Sequence, residues 1–170
     1  MRSVWVRLDL WARNITPAGL TFVLILVTML PTHLPGFARV TPVLALISVY
    51  HWAVYRPQLL PAWSVFILGL LQDFLSGAPV GINVLVFLSV QWLVLSQRQF
   101  LVGKTFLIYW FGFALVAFVA ALEMWLLASI HYVSLLSPLS IFAQYLVTAG
   151  IFPLIAWMFL RWQRVFLDNG

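Results

Sequence analysis

The 170 residues are 64% hydrophobic and 8% charged, with a mean hydropathy of +1.06. Average soluble domains carry about 25% charged residues, so this chain cannot cover a water-facing surface and reads as one integral membrane domain. The lack of cysteine excludes disulfides, thiolate metal sites and cysteine nucleophiles, and the scattered net charge of +5 argues against a nucleic-acid patch.

A helix needs about 20 mostly apolar residues to cross the hydrocarbon core. The N-terminal region has basic flanks and an apolar stretch like a signal peptide, but no small-x-small cleavage site follows, so a retained first span is expected over 16–30, ending at PTHLPG. A second candidate covers 40–55 and stops at Arg56-Pro57; a third covers 59–72 and stops at Asp73 and a glycine-rich turn. Both are short, and the alternative is a re-entrant hairpin, which is tolerated where protein buries its backbone. The fourth covers 79–97, the fifth 105–130 with Glu123 inside it, and the sixth 138–160, closed by RWQR.

Six crossings with a cytoplasmic N-terminus put Arg2, Arg7, Arg13, Arg56, Arg98, Lys104, Arg161 and Arg164 inside and Arg39 alone outside. That is a strong positive-inside bias. A hairpin would move only Arg56, so six crossings with both termini cytoplasmic is the preferred reading. Most Trp and Tyr residues, including Trp52, Trp63, Tyr109 and Trp157, fall near expected span ends, where amphipathic rings favour the headgroup level. Bundle packing is an equal reading for Trp92 and Trp125.

Residues 66–85 read FILGLLQDFLSGAPVGINVL, with one of only 4 acids in the chain set between apolar stretches. Pro79 suits the first turn of a helix, and Gly77 and Gly81 allow a tight turn and close backbone approach. Asp73 can accept from the N–H groups that open the fourth helix, with Ser76 as a rival cap. This corner-locking role is favoured over a ligand or proton site, although an intramembrane acid is a functional candidate by default. If capping dominates, Asp73→Asn is expected to be mild.

The spacing Gly69-Leu70-Leu71-x-Asp73-x-x-x-Gly77-x-Pro79-x-Gly81 resembles the signature of the MreD family, rod shape-determining membrane proteins of bacteria. Pro42, the run Tyr50-His51-Trp52 and Pro57 fit the preceding segment, and Val80 stands where the family often has Leu. The resemblance extends along nearly the whole chain. It implies a non-enzymatic member of the elongation machinery in the inner membrane, associated with MreC and, through it, with MreB, RodA and its transpeptidase partner. A fold like the substrate-binding subunits of energy-coupling-factor transporters also comes with the resemblance.

Glu123 lies ~27 Å along the fifth helix from Thr105, near the outer edge of the hydrocarbon. A carboxylate reaching the interface is the favoured reading, with a salt bridge to Arg39 as an alternative. Ala114, Ala117 and Ala121 share one helical stripe, suited to close internal packing or to docking a partner's helix. His33, His51 and His131 have no metal-ligand spacing and read as interfacial polar residues. Without a P-loop or GxSxG motif, no enzyme activity, metal or cofactor is expected.

The expected fold class is therefore all-α, a polytopic helical bundle in membrane lipid, and the expected partner is an MreC-like protein. A vitamin-binding subunit of an energy-coupling-factor transporter is the alternative. Such subunits commonly carry Ala-x-x-x-Ala in the first helix, where this chain reads PAGLTFVLILVTML. A proton or ion channel around Asp73 and Glu123 ranks lower, because few polar residues are available to line a path.

Overall fold

The computed structural model describes residues 2–30, 41–134 and 137–166, with side chains described from residue 15 to 165 within these ranges. Among the described residues the chain is all-α, with no strand. Its helices are α1 (Arg2–Met29), α2 (Leu44–Tyr55), α3 (Ala62–Ser76), α4 (Ile82–Leu101), α5 (Phe106–Tyr132) and α6 (Pro138–Phe166), with a 3-10 turn at Pro57–Leu59. The helices α4, α5 and α6 are each long and apolar enough to cross a membrane.

The centre of the bundle is α2. It is apolar nearly all round, and every residue from Leu44 to Val54 is buried. A helix with no polar face belongs inside a protein, and α2 packs against α1, α4 and α6. Its 12 residues span about 18 Å, well short of the ~30 Å hydrocarbon core.

Polar side chains pin the neighbours to this centre. Thr21 donates its hydroxyl to the Pro17 carbonyl at 2.7 Å and shares a 2.6 Å hydrogen bond with Ser48, joining α1 to α2. The start of α2 is held from α6: Thr148 Oγ1 accepts from the Val43 N–H at 3.1 Å, and Gln144 donates to the Thr41 carbonyl at 2.8 Å.

Among the described residues, charge is segregated by end. Arg98, in the last turn of α4, donates to the Val54 carbonyl near the end of α2 at 2.8 Å. The His51 ring lies 5.1 Å from Phe159 of α6, so α2, α4 and α6 finish together and α5 starts beside them. Arg56, Arg98, Lys104, Arg161 and Arg164 therefore gather at one end. Glu123 lies ~26 Å along α5 from its start, toward the end that holds Asp73.

Several sequence expectations change. His51 and Trp52 are not interfacial but fully buried, and Tyr109 is buried with them. A hydrogen bond between its ring Nδ1 and Tyr109 OH, rather than a headgroup, accommodates His51. Trp92 is exposed on the bundle surface, while His131 is exposed near the end of α5. Arg39 and His33, and with Arg39 its proposed pairing to Glu123, lie outside the described residues.

Candidate functional site

The α3–α4 corner and the α5–α6 seam contain the residues singled out from sequence. At the corner the two helices touch at Gly69. A Cβ there would stand 2.7 Å from Val84 Cα and 3.0 Å from Val84 N. Only hydrogen fits this approach, so Gly69 sets how closely α3 and α4 pack.

The helix α3 does not stop before Asp73. It continues to Ser76 and ends on Gly77, whose φ of +67° makes a left-handed cap. Gly81, with φ +107°, is the N-cap of α4. Pro79 is thus in the turn rather than in the first turn of α4, and its carbonyl accepts from the Ile82 N–H at 3.3 Å.

Asp73 is fully buried, and its two oxygens are used by three donors. Oδ2 accepts from the Gly81 N–H at 2.8 Å; Oδ1 accepts from the Asn83 N–H at 3.0 Å and from Asn83 Nδ2 at 2.9 Å. The carboxylate satisfies N–H groups that a helix start leaves unpaired, at the positive end of the helix dipole. Ser76 turns away from this task and donates to the Asp73 carbonyl at 3.4 Å. Chemically, the corner is a charged cap that clamps α4 onto α3.

Glu123 is half-buried and accepts from Ser89 Oγ at 2.8 Å, tying α5 to α4. Ser89 is six residues beyond Asn83, about 9 Å farther along α4, so the two acids bond to different parts of α4. Among the described residues, no group of three or more His, Asp or Glu side chains is placed to hold a metal ion.

The alanine stripe divides between two settings. Ala117 is buried, as is Ala120 beside it. The Ala114 carbonyl accepts from Tyr145 OH of α6 at 3.1 Å. Ala121 lines an apolar groove of about 230 Å³ between α5 and α6, with Phe118 and Trp125 on one wall and Ile141, Phe142 and Tyr145 on the other. Leu122 also borders the groove, and outside it α5 presents Leu115, Val119 and Leu126 on its exposed surface.

Sequence reasoning missed two features. Asn83 completes the Asp73 cap, and its position two residues after Gly81 was an available signal. The second is a buried aromatic cluster: His51 Nδ1 shares a 2.9 Å hydrogen bond with Tyr109 OH, and Tyr50 OH donates to the Tyr109 carbonyl at 3.0 Å. Phe113 and Phe152 stack beside it with ring centroids 4.1 Å apart. Polar aromatics inside an apolar run were the only local sign.

The family model described as rod shape-determining protein MreD matches residues 15–167. An uncharacterized protein of Rickettsia prowazekii (strain Madrid E) is 30% identical over 132 residues, covering 77% of this chain and 75% of that protein. No solved structure matches.

Proposed function

The chain belongs to the MreD family of rod shape-determining membrane proteins, and from that premise we propose that it is a non-enzymatic, multi-pass component of the bacterial inner membrane. It binds an MreC-like protein directly and so supports side-wall peptidoglycan synthesis by the cell-elongation complex. RodA, its transpeptidase partner and MreB are reached through that protein. The basic end of the bundle faces the cytoplasm with both termini, and the Asp73 corner faces the other side. The charge segregation supports this orientation, because cytoplasmic ends collect Lys and Arg.

The observation that carries the partner reading is the α5–α6 groove, whose lining is apolar and about 230 Å³ in volume. Membrane helices associate through close packing around small residues, and Ala121 supplies such a position on the groove wall. The single membrane span of the MreC-like protein lies along this seam. The Asp73 cap and Gly69 contact act indirectly, by holding α3 and α4 as a rigid base for α5.

Photo-crosslinking tests the placement. A crosslinking residue at Ala121 or Phe142 is expected to capture a co-expressed MreC-like protein, whereas one at Trp63, exposed on α3, is not. Capture from Trp63 alone would move the partner elsewhere. Depletion of the protein in its host should also turn rod cells round; cells that keep their rods would remove the elongation role itself.

A further inference from the structure

At the basic end, Trp157, Arg161 and Arg164 stand at i, i+4 and i+7 on one face of α6. Together with Leu160 and Val165, all on α6, they border an open surface groove of about 370 Å³. The Arg161 guanidinium lies 5.3 Å from the centroid of the Trp157 ring, within cation–π reach. Both arginines are exposed, and neither has an acidic partner among the described residues. Asp73 and Glu123 accept hydrogen bonds elsewhere, from Asn83 and Ser89.

We propose that this groove binds an anionic phospholipid, with its phosphate on Arg161 and Arg164 and its upper acyl carbons against Trp157, Leu160 and Val165. The order of chemistry along α6 matches that of a lipid. Exposed Leu154 and Met158 lie on the apolar side, Trp157 stands at the transition, and the two guanidinium groups follow. Tryptophan favours the headgroup level, and guanidinium presents paired N–H donors that fit phosphate oxygens.

A helix C-terminus and a cytoplasmic surface both favour cations in general. Those effects account for the sign of the charge, but not for a groove with one arginine held over a tryptophan. Charge complementarity selects an anionic lipid over a zwitterionic one: the described charges at this end, Arg56, Arg98 and Lys104 with the two arginines, are all positive, and phosphatidylcholine adds an ammonium that offsets the attraction of its phosphate. The inference needs only that this end of α6 lies at a membrane–water boundary. It is independent of the groove assigned to the MreC-like partner.

Native mass spectrometry of the full chain in neutral detergent tests it, with phosphatidylglycerol and phosphatidylcholine added at equal concentration. Wild type is expected to retain phosphatidylglycerol preferentially. Arg161→Gln with Arg164→Gln should reduce that preference by about fivefold for each arginine removed, at an unchanged unfolding temperature. Arg161→Lys with Arg164→Lys keeps both charges and should keep most of the preference, which separates loss of charge from loss of fold. Equal retention of the two lipids by wild type would overturn the proposal, as would an undiminished preference in the glutamine pair. Displacement of the lipid by millimolar inorganic phosphate would make this a free-anion site, and displacement by polyglutamate an acidic-protein site. Either result would also overturn it.

Discussion

Trp110 donates its indole N–H to the Ala149 carbonyl at 3.0 Å, and Ala149 is the residue whose helical partner would have been the missing N–H of Pro153. A proline inside a helix leaves the carbonyl four residues earlier unpaired, and in lipid such a group finds no water. Here α5 supplies the absent donor to α6, so the proline helps join the two walls of the apolar groove.

Trp110→Phe should therefore destabilise the bundle by about 0.6 kcal/mol, the average for hydrogen bonds between membrane helices, and by no more than about 1.7 kcal/mol, the upper value for such bonds. Pro153→Ala restores an N–H for Ala149 and should cancel part of the loss on the Trp110→Phe background. Unfolding in a detergent titration measures both. Equal losses with and without Pro153→Ala would show that the indole acts by packing alone.

At the corner, the expectation that Asp73→Asn is mild needs revision, because both carboxylate oxygens are in use. Asparagine offers one oxygen and turns its NH2 group toward an N–H that needs an acceptor. Leaving such a buried group unsatisfied costs about 1–3 kcal/mol. Asn83→Ala removes one donor and keeps both backbone bonds, so it should cost less. The two variants are ranked by unfolding temperature. An Asp73→Asn protein as stable as wild type, but unable to support rod growth, would indicate a charge-specific role in place of the cap.

Local chemistry made part of this architecture legible. Gly77 and Gly81 announced a turn, and the acid before them announced a cap, since both signals lie within a few residues of the structure they form. The end of α3 was less legible: Asp73 looks like a helix stop in an apolar run, until its oxygens are seen to accept hydrogen bonds from the start of the next helix. His51 had the same ambiguity. A histidine beside a proline-bounded turn reads as interfacial, and its burial depends on Tyr109, 58 positions away. The link from Trp110 to Ala149 is equally nonlocal, although Pro153 could have shown that some donor was required.

Gly69→Ala should weaken the α3–α4 contact by about 1–3 kcal/mol, as expected for overpacking of a tight interior. The new methyl group would meet Val84 Cα, a backbone atom. Consequently, trimming the neighbour with Val84→Ala should fail to rescue it. Full rescue, measured by thermal unfolding, would mean that side-chain crowding rather than backbone approach limits this position.

The bond between His51 and Tyr109 predicts a nonadditive pair. Tyr109→Phe leaves His51 Nδ1 buried without its partner and should cost about 1–3 kcal/mol; the Tyr50 hydroxyl still has the Tyr109 carbonyl to bond. His51→Phe strands the Tyr109 hydroxyl but also removes Nε2. That nitrogen is buried with no hydrogen-bond partner among the described residues. The histidine substitution should therefore be the milder of the two. With both residues changed to phenylalanine no polar atom of the pair remains, and the loss should fall below the sum of the single losses. A double variant that loses the full sum would show the two side chains to be energetically independent, and the hydrogen bond would then contribute nothing to holding α2 against α5.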